Sequence, residues 1–341
     1  MPGRIEVEDL VKDFRTFDRR EGLWGALQNL FVREYRTIHA VNGISFRIEP
    51  GEMVGCIGPN GAGKSTTIKM LTGILVPTSG EIRANGFVPF RERSRYTRSI
   101  GTVFGQRTQL WWDIAVVESF RLLKRIYGVS DADYAMRMKQ FDEVLELGRY
   151  LHNPVRKLSL GERMRCDMAA ALLHNPPLVF LDEPTIGLDI VAKANIRAFL
   201  KRVNREFGTT VLLTTHDLSD IEELCPRLMI IDQGKLLFDG GLDALKRQLW
   251  REATVKFDLK DREQCARFEA VALAGVRAEK LGDLTYRLSF AREEHSTAEV
   301  IRHVVNAAEV LDVAIEEQSI EEVVRRIYLG DLLKESARCN P

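Results

Sequence analysis

Residues Leu158–Asp189, LSLGERMRCDMAAALLHNPPLVFLDEPTIGLD, constrain the fold more than any other stretch. A serine–glycine turn leads into a helical run, and Pro176-Pro177 ends that helix. The apolar run Leu178-Val179-Phe180-Leu181 then closes on the paired acids Asp182 and Glu183. A short, wholly apolar run between such breakers reads as a buried strand. Its two carboxylates are delivered to the C-terminal end, where open α/β sheets bind ligands.

A second segment narrows the chemistry. Met53-Val54-Gly55-Cys56-Ile57 is another short apolar run, followed by Gly58-Pro59-Asn60-Gly61-Ala62-Gly63-Lys64-Ser65-Thr66 and a helical stretch beginning near Lys64. Strand, glycine-rich loop and helix in this order read as a phosphate loop. Gly61 and Gly63 let the backbone curl so that its N–H groups face phosphate oxygens, and the helix N-terminus adds to that field. Lys64 would reach the β- and γ-phosphates and the Ser65 hydroxyl would bind Mg²⁺. Asp182 would hold the same Mg²⁺, leaving Glu183 to orient or deprotonate an attacking water. The next β-run, Thr210–Thr215, ends at His216, an imidazole placed to donate a hydrogen bond to a γ-phosphate.

These residues together resemble the ATP-binding subunit of an ABC transporter, over roughly Ile5 to Leu245. The family's Leu-Ser-Gly-Gly-Gln turn reads here Leu158-Ser159-Leu160-Gly161-Glu162. The resemblance implies that Ser159 and Gly161 bind the γ-phosphate of ATP held by a second subunit. Leu160 and Glu162 depart from the pattern, and the sequence leaves open whether Glu162 weakens that contact or points away. The resemblance also makes Gln106 the residue that couples the Mg²⁺ site to a membrane partner, although Gly105 interrupts the usual Phe-Gln step. It makes Asp189 the aspartate that communicates between the two sites of a dimer. It places the adenine-stacking aromatic at Phe14, with Tyr35 as the runner-up and ordinary core packing as the alternative.

The rest of the chain organises around this core. The fold expected is α/β: a P-loop NTPase ABC-type ATPase domain over 1–248 with an antiparallel β edge and a helical subdomain at about 111–175, followed by a small α+β domain over 249–341. In the latter, Ala253–Leu259, Val276–Phe290 and Leu311–Glu316 read as strands and Glu263–Ala272, Thr297–Ala308 and Ile320–Leu329 as helices, a ferredoxin-like pattern. Residues 15–38 read as an insertion. There Leu23, Trp24, Leu27, Leu30 and Phe31 recur at helical spacing among arginines, which suits either a membrane-facing amphipathic helix or one packed on its own domain.

Composition excludes several classes. Lys plus Arg equals Asp plus Glu at 49 each, so no basic excess argues for nucleic acid. No long apolar run or N-terminal signal peptide is present, so the expected location is cytoplasmic, peripheral on the inner face of the membrane. Five cysteines without metal spacing read as reduced structural thiols. No Asn-Lys-x-Asp motif supports a GTPase. The function expected is ATP hydrolysis that powers transport, in the direction of export, by a homodimer or paired ATPase subunits on integral membrane permease subunits. An importer subunit and a soluble ABC ATPase are the alternatives.

Overall fold

The computed structural model describes residues 2–17, 35–105, 107–249, 252–269 and 273–316, with Val324 and Ile327 beyond them. The chain separates into two compact units, Met1–Gly240 and Gly241–Pro341.

The first unit is built on a six-stranded sheet in the order β5-β6-β7-β3-β8-β9. These strands are β3 (Met53–Ile57), β5 (Ile100–Phe104), β6 (Leu178–Asp182), β7 (Thr210–Thr214), β8 (Arg227–Asp232) and β9 (Lys235–Gly241). The pairs β5–β6, β6–β7, β7–β3 and β3–β8 are parallel. Every residue of β3 and β7 is buried, which is why their sequences are continuous rather than alternating apolar runs. A second, antiparallel sheet runs β2-β1-β4, from β1 (Ile5–Phe17), β2 (Tyr35–Ile48) and β4 (Ser79–Ala84). Helix α1 (Lys64–Leu71) joins the two sheets through one core. Ile68 and Leu71 pack there with Val54, Phe180 and Leu212 of the parallel sheet and with Ile5, Ile44 and Ile82 of the antiparallel one.

β1 and β2 form a long hairpin with Arg15 opposite Thr37 and Phe17 opposite Tyr35. The ends of the expected insertion are therefore continuous strand. Its helical-period residues Leu23 to Phe31 lie outside the described residues. β1 also changes parity: Ile5 and Val7 face the core, then Leu10 does, across a register shift where Asp9 sits at φ 44°.

After the short helix α2 (Arg93–Tyr96), the helical segment comprises α3 (Val116–Tyr127), α4 (Asp131–Leu145) and α5 (Leu160–Leu172). Helices α6 (Ile190–Phe207) and α7 (Leu218–Leu224) follow β6 and β7. Cys56, Cys166, Cys225 and Cys265 are free and buried. Desolvation pushes the Cys56 and Cys166 thiols up to about 12, so they are inert at neutral pH.

The second unit begins with α8 (Leu242–Leu249). It continues as β10 (Glu252–Leu259), α9 (Arg262–Glu269), β11 (Val276–Lys280), β12 (Thr285–Ala291), α10 (Thr297–Ala307) and β13 (Val310–Glu316). The order β11-β12-β10-β13, all antiparallel, is the ferredoxin-like split βαβ arrangement. The single run expected over Val276–Phe290 is two strands. A turn at Leu281–Leu284 folds them into a hairpin with Lys280 opposite Tyr286. Of the expected helix Ile320–Leu329, only Val324 and Ile327 are described; both are helical and buried.

Candidate functional site

The phosphate-loop residues Gly58–Thr66 connect β3 to α1. Gly61 and Gly63 have φ of 83° and 109°. A Cβ on Gly63 would lie 2.4 Å from the Ala40 carbonyl oxygen of β2, so both its conformation and its space require glycine. No side chain caps α1 and no acid lies in its first turn. Helices α5, α6 and α7 are instead capped by Ser159, Asp189 and Asp217. The positive dipole end of α1 thus has no side-chain cap, an arrangement that suits an external anion. Lys64 is 6% exposed, and its ammonium donates to the carbonyl oxygens of Gly58 (2.6 Å) and Pro59 (3.1 Å).

Asp182, the last residue of β6, is the meeting point. Its Oδ1 accepts from Ser65 Oγ at 3.1 Å and from Thr214 Oγ1 at 2.6 Å. Glu183 follows at φ 53°, in the left-handed region, held by its N–H donating to the Thr214 carbonyl at 2.9 Å. Its Oε1 lies 3.6 Å from His216 Nδ1. A cavity of about 760 Å³ is lined by Asn60, Ser65, Asp182, Glu183 and His216, with Lys69, Phe104 and Arg107 also on its wall.

Gly105 also belongs to this geometry. A Cβ there would sit 2.1 Å from the Glu183 carbonyl oxygen, and its N–H donates to the Asp182 carbonyl at 2.8 Å. The residue that interrupts the Phe-Gln step is therefore the one that lets β5 end flush against the acidic pair. Gln106 lies outside the described residues.

Ser159, Gly161, Asp189 and Phe14 do not line this cavity. Ser159 and Glu162 form a reciprocal capping box: Glu162 N–H donates to Ser159 Oγ (3.3 Å) and Ser159 N–H to Glu162 Oε2 (2.8 Å). Ser-x-x-Glu before a helix is the sequence signature of that box, so the departure at Glu162 has a local structural cause. Leu160 has one too, since its Cδ2 lies 3.1 Å from where a Cβ on Gly187 would be. The start of α5 therefore packs on the turn that carries Asp189. The Asp189 side chain accepts from Ala192 N–H at 2.8 Å. Phe14 is 36% exposed on β1, with the Lys12 ammonium 5.3 Å from its ring centroid.

Two polar partners carry no local motif. Thr214, which orients Asp182, is an ordinary strand residue in the sequence. Asp167 of α5 accepts from Thr108 Oγ1 (2.9 Å) and Gln109 N–H (3.0 Å), tying the chain just past Gln106 to the helix that Ser159 caps. Desolvation pushes its carboxyl up to about 6 against the opposing effects of those hydrogen bonds and of Arg163.

The oxygen donors Ser65 and Asp182 suit a hard cation. Among the described residues no cluster of three or more His, Cys, Asp or Glu forms a metal cage. A site with two protein oxygens fits Mg²⁺, which keeps waters and shares phosphate oxygens rather than being enclosed by protein.

Comparison with known proteins gives the family. The ABC transporter family profile matches residues 41–186. The linearmycin resistance ATP-binding protein LnrL of Bacillus subtilis is 30% identical over 83% of this chain and 91% of its own length. The ABC transporter ATP-binding protein NatA of the same organism is 31% identical over 63% of this chain and 87% of its own. The Nod factor export ATP-binding protein I of Cupriavidus metallidurans is 38% identical over 63% and 70%. A solved structure of the ATP-binding subunit of an ABC transporter superposes with a TM-score of 0.59 at 30% identity, covering 72% of this chain and 92% of that one. A dimeric ATP-binding cassette in a post-hydrolysis state with ADP and Pi gives 0.58 at 26% identity, covering 70% and 98%. This chain belongs to the ATP-binding proteins of ABC transporters, an ATPase family.

Proposed function

We propose that this chain binds ATP with Mg²⁺ in the cavity at the C-terminal ends of β3, β6 and β7, and hydrolyses it to drive export through separate integral membrane permease subunits. The observation that carries the reading is the convergence at Asp182: one carboxylate touches the hydroxyls of Ser65 and Thr214, with Glu183 next in sequence.

The protein's own residues define the steps. The N–H groups of Asn60–Thr66 at the start of α1 receive the phosphates, and Lys64 exchanges its contacts with Gly58 and Pro59 for phosphate oxygens. Ser65 and Asp182 would hold Mg²⁺, which would supply positive charge beside the phosphates. Glu183 accepts the proton of the attacking water, and His216 donates to the γ-phosphate. The left-handed backbone at Glu183 aims the carboxylate into the cavity, a strain that persists because the surrounding turn is over-determined.

With one phosphate loop and one Ser159 turn per chain, two complete sites need a second ATPase subunit. Ser159 and Gly161 then serve the partner's ATP. Each site's γ-phosphate competes with the Glu162 carboxylate for the Ser159 N–H. Asp189 carries the signal between sites, Gln106 reports to the permease and Phe14 stacks on adenine.

Large apolar side chains left exposed at Trp111, Trp112, Leu122 and Ile126 support the helical segment as the permease-facing surface. Among the described residues no helix is long and apolar enough to cross a membrane. Attachment to the inner face of the membrane is through the permease, and residues 249–341 form an accessory domain that regulates or stabilises the dimer. Export is favoured by relatives named for resistance and for Nod factor export. The test is co-purification with a multi-helix membrane protein followed by ATP-dependent transport in vesicles. Co-purification without nucleotide-dependent efflux would contradict the export reading.

A further inference from the structure

Asp220, in the first turn of α7, is 0% exposed and none of its contacts reaches the cavity directly. Its carboxylate gathers donors from three separate elements. Oδ1 accepts from Arg197 Nε of α6 at 2.7 Å. Oδ2 accepts from the Thr185 hydroxyl and, at 3.4 Å, from the Thr215 hydroxyl. Both threonines are buried.

Their places in the chain give the arrangement its meaning. Thr185 is two residues beyond Glu183, in the turn whose left-handed start aims that carboxylate. Thr215 immediately precedes His216, and its Oγ1 also accepts from Asp217 N–H at 3.0 Å. One buried carboxylate therefore pins both turns that carry cavity groups, and Arg197 is its charge partner. A buried carboxylate with several donors fixes geometry tightly, because losing any arm leaves a desolvated polar group unpaired.

We propose that Asp220 is a positioning residue for hydrolysis: through Thr185 and Thr215 it sets the separation and aim of Glu183 and His216. The inference rests on the reading of those two residues as the reacting pair.

The test uses the full chain with ATP and Mg²⁺, with turnover normalised to bound nucleotide so that an unfolded fraction does not count. Asp220→Asn removes the charge, Thr185→Val removes one arm at similar volume, and Thr185→Ser retains the hydroxyl. A displaced reacting group costs on the order of 10- to 100-fold. Turnover per bound nucleotide should fall by that factor in Asp220→Asn and Thr185→Val, nucleotide affinity should stay within about twofold, and Thr185→Ser should restore the rate. In a Glu183→Gln background, Thr185→Val should add less than about a twofold further loss, since it acts through the group already removed.

Wild-type turnover per site in Thr185→Val, or a loss that adds in full on Glu183→Gln, would overturn the proposal. Should Asp220→Asn not fold, the two Thr185 variants decide alone. Wild-type hydrolysis by Glu183→Gln itself would instead remove the underlying reading, so the two failures are told apart.

Discussion

The two larger sheets of this chain differ in how they bury their strands and in what they do with the strand ends: β3 and β7 of the first are wholly buried, while β11 and β13 of the second are largely exposed. In the parallel sheet, polar groups gather at one edge: the loop after β3, Asp182 at the end of β6 with Glu183 next, and His216 after β7. In the antiparallel sheet of the second unit, β12 alternates between core and partly exposed residues, as β10 does over Ala253–Leu259. There a cavity of about 310 Å³ is lined by Phe268, Leu273, Val276, Leu288 and Val300 together with Glu269, Lys280, Tyr286 and His303. Parallel connections return every strand in the same direction, so their C-terminal ends share an edge and can share a ligand. An antiparallel sheet sends alternate ends to opposite edges, which suits a packed scaffold.

This contrast predicts that the first unit fails by chemistry and the second by packing. Lys64→Ala removes the cation from the phosphate loop and should lower turnover about 10³-fold, roughly 4 kcal/mol, in steady-state ATPase assays. Leu288→Ala, at a buried position of β12, should cost its own unit about 3 kcal/mol in denaturant unfolding. ATPase activity should meanwhile change by less than about twofold; a large loss of turnover would break the contrast.

Gly105→Ala forces a methyl against the Glu183 carbonyl oxygen and should lower turnover about 30-fold, near 2 kcal/mol, with ATP binding retained. Unimpaired turnover would show that the end of β5 does not set the acidic turn.

The smallest effect concerns Asp167. Its carboxyl, raised from the ordinary 3.8 to about 6, keeps its proton in the folded chain at pH values where the unfolded chain has released it. The native state then binds more protons, so the stability this group contributes is present below about pH 4 and is lost as pH rises through about 6. Asp167→Asn should flatten the stability profile in that window, read from denaturant midpoints between pH 4 and pH 7.

What is legible in the sequence divides along the same physical line. The buried runs Met53–Ile57 and Leu178–Leu181 share one cause: each is a short unbroken apolar stretch because helices or a second sheet cover both faces. The phosphate loop is legible because its chemistry depends on fixed local spacing. The alternation of β10 and β12 is legible too, but the turn Leu281–Leu284 is not, because leucines at both ends continue the apolar rhythm across Gly282-Asp283. The change of parity at Asp9 is hidden for the opposite reason: a bulge alters which face each residue meets without altering composition. Thr214, Asp167 and Asp220 acquire their partners only through tertiary contact, and no local pattern marks them. Glu162 has a readable signal in Ser159-x-x-Glu162, masked by its position within a turn that the family resemblance assigns to phosphate.

On the proposed reading Glu183, at φ 53° directly after Asp182, is the base for hydrolysis of ATP bound beside that aspartate. The most direct measurement is ATP turnover and retention by Glu183→Gln in the full chain with Mg²⁺. Turnover should fall about 10²- to 10⁴-fold while ATP remains bound and holds two chains together as a dimer. Hydrolysis at the wild-type rate, with ATP converted to ADP as quickly as by the unaltered chain, would contradict it.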